Sequence, residues 1–346
     1  MKPGKSITAF FCVSSLSAIL LFFVLSCDVG ERTAVRKNSL VTEGLRGRVK
    51  SMAESSYMIM NSPGESEKGE LVSEIHRLYD PEGNIMEERS FNSDRSIGSL
   101  SEYKYDEKGK LLERIETDSE GEIIRKLVYE NDEENNITVE TTYNNLGELE
   151  YRVTFRYDER GNLIDRDGFR PARPQYNVYL SYGNGTTGRT PSGGIVSSWE
   201  SRILYWYDDK GNMTEERHCK PDGSPETRYI SRYDNDGKLA EKTVFNTAGD
   251  LVYRVVFRYS NSGEITGEYH GLTDDDLELF RSFRYDQDGL LAEENIMSGM
   301  GITNTTVKYE EYDKSGNWHK RSTITTSART GKIYSEAVTA RTIVYY

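Results

Sequence analysis

The sequence predicts an all-β fold, an elongated or curved antiparallel array of β-hairpins built from about ten units of roughly 26 residues each. Three observations predict it. A short turn motif recurs at even spacing, apolar residues alternate with polar ones beside it, and the chain holds 24 Tyr but only 8 Pro. Aromatic residues favour strands and Pro disfavours them. The apolar fraction of 36% suits a thin sheet better than a large globular core.

The turn motif is Tyr-Asp-x-x-Gly, and related copies of it recur between residues 79 and 316. Successive motif tyrosines lie 26, 52, 50, 26, 26, 26 and 27 residues apart. The two doubled gaps are predicted to hold degenerate copies near Tyr129 and Tyr182. Because each unit of such an array contacts only its neighbours, we assign residues 45–346 to one repeat domain. The motif tyrosines are Tyr79, Tyr105, Tyr157, Tyr207, Tyr233, Tyr259, Tyr285 and Tyr312.

The chemistry of the motif predicts a hairpin turn with a three-residue loop. An Asp at the first turn position can accept hydrogen bonds from backbone N–H groups further along the loop, and a Gly at the fourth position supplies a positive φ. We therefore expect the Asp to pair with the residue after the Gly. In one copy, Ser260 stands in the place of the Asp. The predicted turn residues are Asp80, Gly83, Asp106, Gly109, Asp158, Gly161, Asp208, Gly211, Asp234, Gly237, Gly263, Asp286, Gly289, Asp313 and Gly316.

Strand register can be predicted from the apolar pattern around the turn. The residue two positions after each motif Gly is apolar in every copy, and the predicted register places it opposite the motif Tyr. Five copies carry a second aromatic residue two positions before the Tyr, usually with Lys or Arg between the two. Since the period is two, the aromatic residues share one face and the basic residues take the other. Further turns, such as those at 118–121 and 144–147, divide the units into strand, turn, strand, turn.

Residues 1–26 have the layout of a signal peptide, because Lys2 and Lys5 precede an apolar run that ends in a small-residue site. Residues 24–27, Val-Leu-Ser-Cys, resemble the bacterial lipobox, which implies that Cys27 becomes the lipidated first residue of the mature chain. The alternative is a retained membrane anchor, for which the apolar run is short. We expect residues 27–44 to form a tether and the lipid to hold the protein on a membrane.

The charge balance excludes one class of partner. The formal net charge is −13, and it becomes −15 once residues 1–26 are removed with their two Lys. Nucleic acid is not an expected partner, because an acidic chain repels a phosphate backbone. With Cys12 in the signal and Cys27 lipidated, Cys219 is left without a disulfide partner. We expect Cys219 to be buried or half-buried, with a reactive or intermolecular thiol as the alternative.

Residues 168–198 interrupt the array with three Pro and a run rich in Gly, Ser and Thr. Long loops are more often functional or disordered than structural. Residues 183–188 read Gly-x-Gly-x-x-Gly, but residues 189–194 contain a Pro and two Gly and cannot form the helix that a dinucleotide site needs, so no such cofactor is expected. Tyr and Arg are enriched in binding hot spots, so a binding loop and a tolerated insertion both remain open. The candidate binding residues are Arg170, Arg173, Tyr176, Tyr179, Tyr182 and Arg189.

Acidic residues also recur, four positions after the motif Gly. Paired carboxylates can hydrolyse glycosides, but a position that repeats along the array indicates a periodic stripe. We expect a solvated face or cross-strand partners for Arg. The Asp-rich segments at 234–237 and 286–289 favour turn chemistry over calcium binding, because the Glu that completes a calcium loop is missing from both, and residues 274–276 are a further calcium candidate. Neither a metal nor a cofactor is predicted, and the four His lack ligand spacing. The recurring acidic residues are Glu87, Glu113, Asp165, Glu215, Glu241 and Glu293.

The Tyr-Asp-x-x-Gly-Asn unit resembles the YD repeat of RHS-type bacterial surface proteins. The stretch at 45–51 resembles the lead-in strand of small envelope proteins that carry such repeats, and the resemblance covers residues 45–346. Large members of the family wrap a long spiralling sheet around a C-terminal toxin. This chain is far shorter and ends within repeat-like strands at 341–346, so a toxin role is not expected.

Together these features predict a cell-envelope lipoprotein that acts as a repeat scaffold or as a binding or adhesion protein for a glycan or a protein. The resemblance and the lipobox imply a lipid anchor at the outer membrane or cell surface rather than the inner membrane. No catalytic residues are predicted. The alternative is a surface-anchored polysaccharide hydrolase. A unique cluster of carboxylates in one concave pocket would favour the hydrolase, and a uniform stripe would favour the scaffold.

Overall fold

A computed structural model describes residues 39–59, 69–134, 136–171, 198–220, 222–298 and 301–346, and these contain one short helix and twenty strands. The helix, α1, covers Ser39–Thr42. In the part of the chain so described, no helix is long and apolar enough to cross a membrane. The strands are β1 Val49–Met58, β2 Glu70–Tyr79, β3 Ile85–Phe91, β4 Ile97–Tyr105, β5 Leu111–Asp118, β6 Ile123–Asn131, β7 Ile137–Asn144, β8 Leu149–Tyr157, β9 Leu163–Arg170, β10 Ser198–Tyr207, β11 Met213–Cys219, β12 Pro225–Tyr233, β13 Leu239–Phe245, β14 Leu251–Tyr259, β15 Ile265–His270, β16 Glu278–Tyr285, β17 Leu291–Ser298, β18 Gly301–Tyr312, β19 Trp318–Ser327 and β20 Ile333–Tyr345.

The strands form one antiparallel meander that closes on itself. Each strand pairs with the next, and β1 also pairs with β20, from Val49 opposite Tyr345 to Met58 opposite Ala337. The all-β antiparallel class is confirmed, but of the two predicted forms, elongated or curved, the elongated array was wrong, because the sheet closes into a barrel. Closure gives hydrogen-bond partners to both edge strands, which an open array would expose. We call the β1–β20 junction, with β18 and β19 beside it, the seam.

The predicted turns are confirmed. In the hairpin between β4 and β5, the backbone N–H of Asp106 donates to the carbonyl of Lys110, and the N–H of Gly109 donates to the carbonyl of Asp106. The Asp106 carboxylate accepts the N–H groups of Lys108 and Lys110, both at 2.8 Å. Asp therefore pairs with the residue after Gly, as expected. The pairing of each motif Tyr with the apolar residue two after the Gly is also confirmed, as in Tyr105 opposite Leu111.

The turn glycines give a direct test of this geometry. Gly237 has φ +80, and a Cβ added there would meet nothing within 4 Å. Only the backbone conformation resists substitution, so Gly237→Val should lower the free energy of unfolding by about 1–3 kcal/mol. Gly237→Asn should cost distinctly less, because Asn tolerates positive φ. Urea titration measures both values, and equal losses for the two variants would contradict the turn assignment.

One of the degenerate copies uses a different residue from the one expected. The turn after β6 starts at Asp132, and Asn131, not Tyr129, lies opposite Ile137 in the motif place. The Asn131 amide donates to the carbonyl of Leu111 at 2.9 Å. Tyrosine hydroxyls make the same bond in other copies, each to the carbonyl of the first strand residue after the preceding motif turn. These bonds are Tyr105 to Ile85, Tyr157 to Ile137, Tyr207 to Leu163, Tyr233 to Met213 and Tyr259 to Leu239, at 2.8–2.9 Å.

The main buried cluster lies beside the seam, where residues 39–48 fold onto the barrel. Leu40 and Leu45 pack with Val49, Met52 and Tyr79, and each of the five is at most 6% exposed. Ser39 accepts the backbone N–H of a β3 residue at 3.0 Å, which ties the helix to the barrel. The predicted tether, residues 27–44, thus ends in a segment that belongs to the packed structure.

Candidate binding cleft at the seam

Five of the six recurring carboxylates lie in cross-strand ion pairs, and Glu87 pairs with Arg89 of its own strand, which agrees with their interpretation as a periodic stripe. Hydrogen bonds from Lys104 and Lys126 lower the pKa of Glu113, which therefore stays ionised. Ion pairs with an exposed partner, such as Lys104–Glu113, contribute little to the free energy of unfolding. The pairs include Arg89–Glu87 at 2.7 Å, Lys104–Glu113 at 2.6 Å, Arg202–Asp165 at 2.8 Å, Arg228–Glu215 at 2.8 Å, Arg254–Glu241 at 2.8 Å and Arg284–Glu293 at 2.8 Å.

Three histidines share a setting that sequence reasoning missed. Each Nε2 contacts the carboxylate of a Glu two residues earlier, and each ring packs against an aromatic ring of the neighbouring strand. Because i and i+2 lie on one face of a strand, a Glu-x-His pattern was the signal that could have found them. The pairs are His76–Glu74 at 2.9 Å, His218–Glu216 at 2.5 Å and His270–Glu268 at 2.7 Å, with rings against Phe91, Tyr229 and Phe280.

The third of these pairs continues into a buried ionic triad. Arg281 Nε lies 3.1 Å from Glu294 Oε1, and Arg281 Nη1 lies 3.8 Å from Glu268 Oε2. The side chains of all three are between 8% and 12% exposed. Burial raises the pKa of Glu294, although Arg281 opposes this effect. Two carboxylates thus share one guanidinium, and Glu268 also contacts His270.

A cleft of about 470 Å³ opens beside the seam. Its walls come from the segment before β1, from the turn between β16 and β17, and from β18, β19 and β20. The volume is within the usual range for small-molecule sites. The lining residues include Arg46, Tyr309, Tyr312, Trp318, Arg321 and Arg341.

The cleft coincides with the one irregular spacing among the undoubled repeats, the 27 residues between Tyr285 and Tyr312. The extra residue is Glu311, which has φ +60 inside β18 and lies opposite His319, so β18 and β19 keep one register up to Tyr312, whereas other motif hairpins, such as β4–β5, shift register just before the Tyr. Tyr309 consequently takes the place of the second aromatic residue, opposite Arg321. Positive φ is uncommon for a residue other than Gly, and such strain often marks a functional site.

The repeat that carries the extra residue also presents different side chains. Tyr312 is 43% exposed, whereas the other seven motif tyrosines are buried or half-buried. Trp318 stands where the other copies carry an aliphatic residue. The Arg341 guanidinium lies 3.7 Å from the centre of the Trp318 ring, and that of Arg321 lies 5.3 Å from it. The Tyr309 ring centre is 5.6 Å from that of Trp318. Aromatic and arginine side chains are therefore concentrated in one concave place.

The cleft also holds two carboxylates, Glu43 and Asp288. Burial raises the pKa of Glu43, against the opposing effects of Arg77 and of the Tyr79 hydroxyl. That hydroxyl donates to Glu43 Oε2 at 2.7 Å. Asp288 lies in the turn between β16 and β17, and its backbone N–H donates to Asp286 Oδ1 at 2.9 Å. The two acids come from separate elements and are not members of the periodic stripe.

The wall before β1 is held by a polar network around Asn317. The Asn317 amide accepts the backbone N–H of Arg46 at 2.8 Å and donates to the Arg46 carbonyl at 2.8 Å. It also donates to the Tyr345 hydroxyl at 2.7 Å, and that hydroxyl donates to Asp313. Burial alone would raise the pKa of Asp313, but the Tyr345 hydroxyl and two backbone N–H groups lower it to about 2.

Asp313→Asn should therefore lower stability in a pH-dependent way. The folded pKa lies below the ordinary value of about 4, so the carboxylate stabilises the fold above pH 4, and this contribution is lost as the pH falls toward 2. We expect a loss of about 1–2 kcal/mol at pH 7 that shrinks to near zero at pH 2. Urea titrations of parent and variant between pH 7 and 2 measure it. A difference that stays constant with pH would contradict the role of the charge.

The other predicted site residues lie in several separate places. Cys27 and residues Arg173, Tyr176, Tyr179, Tyr182 and Arg189 lie outside the described residues. Arg170 ends β9, with its guanidinium 5.7 Å from the Tyr151 ring. Cys219 is buried, as expected. The Asp234 and Asp286 carboxylates accept backbone N–H groups of their own turns, which is the turn chemistry expected there. No group of three or more His, Cys, Asp or Glu in the described ranges could hold a metal ion.

No family model matches the chain, and no curated protein matches it in sequence. Solved structures with some likeness include a porin-like protein from Bacteroides uniformis ATCC 8492, 11% identical with a TM-score of 0.38, which covers 86% of this chain and 96% of its own. A porin-like protein from Bacteroides vulgatus ATCC 8482 is 12% identical with a TM-score of 0.29, covering 86% and 98%. The complex TcdB2-TccC3-Cdc42 is 12% identical with a TM-score of 0.25, covering 76% of this chain and 19% of that one. Likeness at this level carries no inference about function.

Proposed function

We propose that the protein is a lipid-anchored scaffold of the bacterial cell envelope that binds a glycan or a protein without catalysing a reaction on it. The observation that carries the proposal is that the recurring polar side chains make structural contacts within the barrel. The motif Asp carboxylates hold turns, the motif Tyr hydroxyls bond to the preceding repeat, and the carboxylate stripe lies in ion pairs. These groups stabilise a repetitive surface, and the seam cleft adds one concave place rich in binding residue types.

The anchor is tested at Cys27. Cys27→Ala should move the protein from the detergent phase to the aqueous phase in a phase-separation assay, because the lipid supplies the membrane affinity. Equal partitioning of variant and parent would contradict the anchor. Binding is tested by presenting the anchored protein to a glycan array and to envelope and host-matrix fractions. If the protein binds no glycan on the array and retains no protein or glycan from the fractions, the binding role is contradicted.

The insert at 168–198 remains a second candidate surface for the same function. Replacing residues 183–194 by an Asn-Gly turn should leave the barrel folded. If the insert binds the partner, retention in the same assays falls. If binding persists at the level of the parent, the insert is a tolerated loop.

The rival function, hydrolysis of a polysaccharide, is favoured by one observation. Glu43, with its raised pKa, and Asp288 line the same cleft, as an acid and a base of a glycosidase would. Release of reducing ends from envelope polysaccharides, lost in both Glu43→Gln and Asp288→Asn, would establish hydrolysis. Absence of such release from the parent protein would favour the scaffold.

A further inference from the structure

We propose that the seam cleft binds a hexuronate unit of an acidic glycan, with Trp318 and Tyr312 against the sugar and Arg321 receiving its carboxylate. This inference rests on the proposed binding function and names the ligand class and the place. Nothing in the repeat pattern requires such a site, because the other units do without the extra residue and the Trp.

The aromatic wall supplies the sugar contact. Trp318 is half-buried and Tyr312 is 43% exposed, on paired strands, with Tyr312 opposite Trp318. Aromatic side chains combine a large apolar face with a polar edge, which suits the apolar C–H faces and polar rims of a pyranose. In the other copies, a half-buried or buried Tyr faces an aliphatic residue, and no such wall is formed.

The arginines supply the carboxylate contact. Arg341 is bound to Glu54 at 2.6 Å, so it orients the Trp318 ring more than it attracts a ligand. Arg321 donates to the Thr339 hydroxyl at 3.3 Å and hydrogen-bonds the Tyr309 side chain, and no acid among the described residues forms an ion pair with it. A guanidinium without an acidic partner binds a carboxylate through charge-assisted hydrogen bonds.

The charge of the cleft fits one acidic group rather than many. Its walls carry Arg46, Arg321 and Arg341 against Glu43 and Asp288, whereas the whole chain has a net charge of −13. The two acids would repel the several negative charges of a polyphosphate, and a neutral sugar would leave Arg321 without a charged partner. A sugar with a single carboxylate per unit satisfies the cation and avoids crowding the acids.

The extra residue, Glu311, with its positive φ, is the structural cause of the site. Glu311 adds one residue to β18, and the charge pair beside it is reversed relative to the array. Glu310 on β18 lies 3.6 Å from Lys320 on β19. In other units the first strand of the hairpin carries the basic residue and the second strand the acid, as in Lys104–Glu113 and Arg284–Glu293. Tyr312, directly after the extra residue, is the exposed motif Tyr.

Titration calorimetry of the full chain with trigalacturonate tests the inference. We expect saturable binding, at least about tenfold weaker binding of the methyl-esterified trisaccharide, and no measurable binding of acetate. Trp318→Leu, which restores the side-chain type of the other repeats, and Arg321→Gln should each weaken binding at least about tenfold. Trp206→Leu and Arg232→Gln, an exposed Trp and Arg on the array outside the cleft lining, are the matched controls and should bind as the parent does.

Three results would overturn the site. These are no saturation by trigalacturonate at about 10 mM, equal affinity for the esterified sugar, or unchanged affinity in both cleft variants that melt as the parent does. If the glycan array or the envelope fractions still yield a ligand in that case, the scaffold function stands and only the hexuronate site fails. If they yield none, both fail.

Discussion

Arg281→Met is expected to lower the free energy of unfolding by about 3–5 kcal/mol. The change removes the only guanidinium of the triad and leaves Glu268 and Glu294 buried beside each other, at 11% and 8% exposure. Removing one partner of a buried ion pair leaves the other charge buried without a counter-ion. This costs more free energy than the pair itself contributes to stability. Chemical denaturation monitored by circular dichroism measures the loss.

Arg284→Met is the matched control for this prediction. Arg284 lies on the same strand and pairs with Glu293 at 2.8 Å, but its side chain is 63% exposed. It should cost less than about 1 kcal/mol. Adding Glu294→Gln to Arg281→Met should recover part of the loss. Because burial raises the pKa of Glu294, the Arg281→Met deficit should also shrink as the pH falls and Glu294 takes up a proton. A double variant no more stable than Arg281→Met would contradict the triad.

Met52→Ala is the second change with a large expected effect, about 2–5 kcal/mol. Met52 is 1% exposed in the cluster that joins residues 39–48 to β1 and β2, so truncation leaves a cavity at the seam. Met58→Ala is the matched control at the other end of the same strand, where the side chain is 36% exposed, and it should cost little. Thermal and urea unfolding measure both, and equal losses would show that the seam cluster is not a structural core.

The hairpins could be predicted because their determinants are local. Asp106 and Gly109 act within one turn, and the alternation beside them fixes the pairing of Tyr105 with Leu111. The degenerate copy at Asn131 was placed two residues early, because the Tyr that matches the motif in sequence is Tyr129. The Asn131 amide, however, makes the bond that the Tyr hydroxyl makes in other copies.

Closure could not be predicted in the same way. Arg341 bonds to Glu54 across 287 residues of sequence, and neither residue belongs to the repeat motif. Whether an array stays open depends on the summed twist of all its strands, which no single repeat encodes. The cleft could not be predicted for a related reason. The spacing of 27 before Tyr312 was visible in the sequence, but only the structure shows that the extra residue is Glu311, which takes a positive φ.

The closed barrel is the central claim, because the cleft and the N-terminal cluster exist only where β1 meets β20. Cross-linking tests it most directly. Ser55 and Ala340 lie opposite each other in that pairing, so Ser55→Cys and Ala340→Cys, introduced together with Cys219→Ala, place two thiols at the junction. A short bis-maleimide should join them within one molecule in high yield, while the pair Ser55→Cys and Thr154→Cys, whose second site is on β8, should not be joined. Absence of the 55–340 cross-link, or its formation only between molecules, would contradict closure.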